Sequence, residues 1–151
     1  MSFPSSLYET DFFAWANEQA ALLRAGQIAA ADLLHIAEEI ESMGKTEKRE
    51  LLHRLKVLLM HLLKWQYQPN MRGQSWRLTI KEQRRETARH LSDNPSLKSR
   101  LADILTDAYG DAVLAAARET GLPEETFPLE CPWSFPQIIE AQFWPEAPAQ
   151  S

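Results

Sequence analysis

A chain of 151 residues with 44% hydrophobic and 25% charged side chains has room for one domain with a real core and little room for two. Its uncharged apolar runs, such as 57–60, are far too short to span a bilayer, and a single cysteine, Cys131, excludes an internal disulfide. The formal net charge of −5 is unevenly spread: residues 1–43 carry net −6, residues 44–100 net +9 and residues 101–151 net −8. The opening MSFPSSLYETDFF has no basic segment followed by an apolar one, so the expected location is the cytoplasm.

In chain order, the spacing of Phe12, Trp15, Ala16, Gln19, Leu22 and Leu23 predicts a first helix over 11–25, capped by Asp11 or Thr10 and stopped at Gly26. A second helix is expected over 30–43, with Leu33, Ile36, Ala37, Ile40 and Met43 inward and Gly44 as its breaker. The third, over 47–66 with Thr46 as N-cap, is the centre of the expected fold. Its leucines at 51, 52, 55, 58, 59, 62 and 63 cover an arc of roughly 140°, wide enough to touch more than one neighbour. Pro69 ends it, and a connector containing Asn70 and Gly73 follows. A basic fourth helix over 76–91, capped by Ser75, carries a thin stripe of Trp76, Ile80, Ala88 and Leu91. Asn94 and Pro95 open a fifth helix that runs to about 120, where Gly121 and Pro123 stop it.

Six of the nine prolines lie beyond Leu122, among Phe127, Trp133, Phe135, Phe143 and Trp144. Aromatic content of that kind argues against a polar disordered tail. It predicts an extended strap over the helices, with one short helix begun by Ser134 and Gln137 at capping-box spacing. The expected fold is therefore all-α: a bundle of about five main helices with a C-terminal proline/aromatic strap. Residues 7–145 form one domain and 146–151 a short tail.

The chemistry-bearing motifs are weak. Gly44-Lys45-Thr46 ends like a phosphate-binding loop, but Glu39 stands where the first glycine belongs and the preceding segment is helical. Glu50 and His53 make an E-x-x-H pair, yet both lie on the side of their helix opposite the leucines, and the sequence holds no second such pair. The one-turn pairs His35/Glu39 and Glu86/His90, together with His61, give no zinc spacing and read as solvated contacts. Glu38, Glu39 and Glu41 read as partners of Lys45, Lys48 and Arg49, and Cys131 as a packed thiol. No catalytic residue, cofactor or metal is expected.

The segment 64–77, KWQYQPNMRGQSWR, is richer. Lys64, Trp65, Tyr67, Arg72, Trp76 and Arg77 gather stacking rings and cations at one helix–helix corner, a composition suited to partner binding. The bland alternative is that the tryptophans close the bundle end under arginine stems.

LYETDFFAW (7–15), EQAALLRAG (18–26), AEEIESMG (37–44), LLKWQYQP (62–69), SWRLTIKEQR (75–84) and GLPEETFP with ECPWS (across 121–134) resemble a bacterial family catalogued as domain of unknown function 29. The resemblance spans residues 7–144 in order. It implies a single all-helical bacterial domain, and it implies no activity and no site residues.

The function expected from the chain is a non-enzymatic protein-interaction module with an unidentified protein partner and no membrane partner. It would act through the 64–77 corner or the exposed side of the basic helix. One alternative is a nucleic-acid binder using the basic helix 77–89, with Arg72, Arg77, Lys81, Arg84, Arg85 and Arg89 on phosphates and Trp76 stacking. The other is a small-molecule or metal-dependent enzyme on a helical scaffold. Against the nucleic-acid reading stand the acidic flanks, which repel a polyanion and offer the arginines internal partners.

Overall fold

Glycine in the left-handed region stops the chain's helical runs at two places, Gly26 with φ 73° and Gly121 with φ 77°. Between and beyond them the computed structural model, which describes residues 5–148, is all-α and contains no strand among the described residues. Among the described residues six helices follow in order: α1 (Ser5–Thr10), α2 (Phe12–Arg24), α3 (Leu33–Tyr67), α4 (Gln74–Asp93), α5 (Leu101–Thr120) and α6 (Phe135–Ile139). Short 3-10 turns occupy Ile28–Ala30, Pro69–Met71, Pro95–Arg100 and Glu124–Thr126. The chain divides into two compact units, Met1–Thr46 and Glu47–Ser151.

The predicted break at Gly44 does not occur. α3 runs through it for 35 residues, and Thr46, expected to cap a new helix, donates its hydroxyl to the Ser42 carbonyl at 2.9 Å in mid-helix. A helical glycine costs about 1 kcal/mol relative to alanine, less than giving up the backbone hydrogen bonds that the neighbouring Glu, Met, Lys and Arg residues readily continue. Two other boundaries also move. α4 starts two residues earlier, with Gly73 rather than Ser75 at its N-cap, and residues 95–100 form a 3-10 turn, so the fifth α-helix begins at Leu101.

In the first unit, Asp11 caps α2 by accepting from the Ala14 N–H at 3.1 Å. Its interior is a polar and aromatic knot. Asp32 accepts from Trp15 Nε1 at 3.1 Å and pairs with His35 Nδ1 at 2.7 Å, while the Asp32 N–H donates to Gln19 Oε1 at 2.7 Å. Tyr8 stacks on the His35 imidazole at 4.0 Å, and its hydroxyl donates to Glu39. That hydrogen bond, with desolvation, pushes the Tyr8 phenol up to about 12. Burial works to raise Asp32, but the hydrogen bonds from His35 and Trp15 outweigh it and hold the carboxyl below its ordinary value. The apolar stripe expected to face inward is largely exposed instead: Leu33, Ala37, Ile40 and Met43 lie at the surface, with Ile40 63% accessible.

The second unit holds the hydrophobic core. Leu51, Leu55, Leu58, Leu59, Leu62 and Leu63 of α3 are fully buried. They pack in one cluster with Ile80 and Leu91 of α4, with Ile104 and the small residues Ala108, Ala112 and Ala116 of α5, and with Phe127, Trp133 and Ile138 of the strap. The strap is thus part of the core. Its short helix α6 is held by the expected capping box, in which Ser134 and Gln137 satisfy each other's backbone N–H groups.

The stripe expected on α4 is corrected at one position. Ala88 is exposed, and the buried face carries Arg84, Thr87 and His90 between Ile80 and Leu91. Arg84 is only 4% exposed. Its guanidinium donates to the carbonyls of Ile138 (2.7 Å), Phe143 (2.6 Å) and Ala141 (3.5 Å) and lies over the Trp144 ring. Burial lowers the Arg84 pKa.

Candidate functional site

The corner formed by the end of α3 and the start of α4 is built from the residues singled out in the sequence, and their polar groups serve the fold. Lys64 is buried, pairs with Glu119 of α5 at 2.9 Å and places its ammonium 4.7 Å from the Trp76 ring centre. Trp65 packs on Trp144 at 4.7 Å, and Tyr67 on Phe127 at 5.1 Å. Arg72 lies over Trp65 and donates to the Trp65 carbonyl at 2.7 Å and the Pro145 carbonyl at 3.4 Å. Of the six, only Arg77 is exposed, with its Nε donating to Gln74 at 3.4 Å. The stacking rings and two of the three cations are therefore engaged within the second unit.

The basic helix is similarly divided. Arg84 is an internal anchor, and Arg89 pairs with Glu86 on its own helix at 3.0 Å. Lys81 and Arg85 are exposed, but Glu82 and Glu86 share their surface with them. The expected pairing of these arginines with acids on other helices is replaced, for Arg84, by backbone carbonyls of the strap.

A wider feature lies along α5. The strap after Gly121 turns back along α5, anchored where the Tyr109 hydroxyl donates to the Pro128 carbonyl at 2.6 Å. Burial raises the Tyr109 phenol pKa, so it stays a neutral donor. Between α5, Leu52 of α3 and this part of the strap runs an open groove of about 1060 Å³. Tyr109, Val113, Leu114, Phe127 and Leu129 supply apolar lining, and Leu129 is 96% exposed. The charged groups lining it are all acids: Asp107 and Asp111 one turn apart on α5, and Glu124 and Glu125 on the turn after it. Sequence reading missed this groove because its walls are brought together by the return of the strap. The one local signal was the acidic spacing 103, 107, 111 along the fifth helix.

A smaller cavity, about 410 Å³, opens between α3 and α4. Here Glu47 and Glu50 meet His90, with one ligand-type atom from each within 4.8 Å of the others. His53, the residue paired with Glu50 by sequence spacing, is exposed away from this cluster, as the helical geometry predicts. His61 lies elsewhere on α3, its Nδ1 2.8 Å from the Val57 carbonyl, and burial holds its pKa below the ordinary value.

The profile of the family described as "Domain of unknown function DUF29" matches residues 7–144, nearly the whole chain. The chain belongs to the DUF29 family. No curated protein and no solved structure matches it. Among the described residues of this DUF29 chain, no helix is long and apolar enough to cross a membrane. The Cys131 thiol, 3.4 Å from the Trp133 carbonyl, is half-buried with its pKa raised by burial, an unreactive setting for a nucleophile.

Proposed function

We propose that this DUF29 domain is a protein-interaction module that receives a basic, apolar-faced helix of a partner protein in the groove between α5 and the strap. The observation that carries this reading is the groove's composition: an apolar floor rimmed by Asp107, Asp111, Glu124 and Glu125, with no lysine or arginine among the described residues that line it. A helix laid in such a groove buries its apolar face while its lysines and arginines meet the rim, the pattern of helix-in-groove recognition. The groove is favoured over the 64–77 corner because the corner's rings and two of its three cations already have partners within the fold.

The test is fluorescence-anisotropy titration with a labelled Leu/Lys amphipathic helix of about 18 residues, five helical turns, beside a Leu/Glu peptide of the same apolar pattern. The Leu/Lys peptide should bind with micromolar affinity that weakens with salt, and the Leu/Glu peptide should not. Asp107→Asn/Asp111→Asn should weaken binding about tenfold, the effect of roughly 1.4 kcal/mol, and Leu114→Asp should abolish it. Equal binding of both peptides, binding of neither, or indifference to these substitutions would overturn the reading. Concentration-dependent dimerisation lost in Leu114→Asp would reassign the groove to a second copy of the chain.

A further inference from the structure

The cluster of Glu47, Glu50 and His90 joins two helices through a histidine 43 positions from one glutamate and 40 from the other. His90 is 8% exposed, and its Nε2 lies 2.7 Å from the Glu47 backbone carbonyl. A carbonyl only accepts, so Nε2 carries a proton, and the lone pair of a neutral ring resides on Nδ1. Nδ1 faces Glu50 Oε2 at 3.4 Å. Two acceptors in that position repel unless a proton or a cation lies between them. The separation is longer than a charge-assisted hydrogen bond, about 2.7–2.9 Å. It matches the edge of a tetrahedral metal site, where ligands at ~2.0–2.1 Å from the ion stand about 3.3 Å apart.

We propose that Glu50, His90 and Glu47 form a binding site for one divalent transition-metal ion of the zinc class, linking α3 to α4. His90 Nδ1 and Glu50 Oε2 are the fixed ligands. The Glu47 side chain is 44% exposed, with room to turn; its Oε2 stands 3.5 Å from Nε2, the protonated edge of the ring, and joins the site by turning toward Nδ1. The backbone carbonyl on Nε2 sets the tautomer and ring orientation, as the outer hydrogen bond of a metal-bound histidine does. Arg54 orients the Glu50 carboxylate by holding its other oxygen at 2.9 Å. Glu47, Glu50, Glu86 and Asp93 against Arg54 and Arg89 leave the cavity with two carboxylates in excess, enough to balance a divalent ion. A mixed imidazole and carboxylate set suits zinc better than calcium or magnesium, which favour oxygen alone. Three protein ligands leave a fourth position open to the cavity.

The experiment uses the full chain, purified without metal-affinity resin and stripped with chelator, titrated with Zn²⁺ against a chromophoric chelator. The expected result is one zinc per chain, a higher melting temperature in its presence, and visible bands of four-coordinate Co²⁺ on cobalt substitution. Glu50→Gln and Glu47→Gln, at half-exposed side chains, should keep the fold and weaken zinc binding at least ~10-fold. His90→Gln should abolish it. Absence of stoichiometric zinc uptake at 100 µM, or uptake unchanged in the two glutamine variants, would overturn the site.

Discussion

The guanidinium of Arg84 is held by the carbonyls of Ile138 and Phe143, at 2.7 and 2.6 Å, 54 and 59 positions along the chain. A cation on the buried face of α4 thereby becomes the peg on which the strap hangs. Arg84→Met should destabilise the protein by about 3 kcal/mol, because it removes charge-assisted hydrogen bonds and leaves the strap carbonyls without donors. Urea unfolding of the variant beside wild type measures this. An unchanged midpoint would show that the strap does not depend on the peg.

Removal of residues 122–151 should be more severe. Phe127, Trp133 and Ile138 are nearly fully buried, and each such side chain contributes ~1.5–3 kcal/mol. The truncated chain is expected to be insoluble or to melt far below the full chain. A truncated form with the original melting temperature would contradict the strap's place in the core.

Two glycines should respond to alanine with opposite signs. Gly44 lies within α3, and a Cβ there meets nothing within 4 Å, so Gly44→Ala should stabilise by ~0.5–1 kcal/mol. Gly121 sits at φ 77°, and Gly121→Ala should destabilise by roughly 1 kcal/mol. Denaturant midpoints of the two variants compare them directly. A destabilising Gly44→Ala would restore the helix break that the sequence suggested.

Acid should loosen the first unit through Asp32. Its folded pKa lies below the ordinary value, so its stabilising contribution is present above about pH 4 and is lost as pH falls through the folded value. The groups facing it are His35, Trp15 and Gln19, with Tyr8 stacked on His35 beside Glu39. Asp32→Asn should flatten this dependence. Hydrogen exchange of the α2 amides between pH 5 and 3, corrected for intrinsic rates, reads it. Identical pH profiles for wild type and variant would refute the assignment.

These cases also mark where sequence was informative. The seven leucines of 51–63 announced their helix because apolar residues at helical spacing need only the local repeat to be recognised. The capping box at Ser134 and the stop at Gly121 were equally local. Gly44 misled because its helical penalty is small beside the helix that continues on both sides. On α4 the apolar pattern pointed to Ala88, whereas the buried positions went to Arg84, Thr87 and His90. Arg84 and His90 are polar side chains satisfied by carbonyls from distant segments. The acidic groove and the meeting of Glu50 with His90 share that origin. Each joins residues separated by a helix or more, and no local period encodes such a pair.

The hold of the strap on Arg84 has a consequence for how the protein is made. A chain emerging from the ribosome completes α3 and α4 while residues 138–143 have yet to be joined to it. During that interval the guanidinium has no carbonyls to receive it, and burying it would cost several kcal/mol. Water remains its better host until then, and the arrival of residues 138–143 supplies the carbonyls that replace it. The part of this core that lies beneath the strap can therefore close only after the polypeptide has grown some fifty to sixty residues past the arginine.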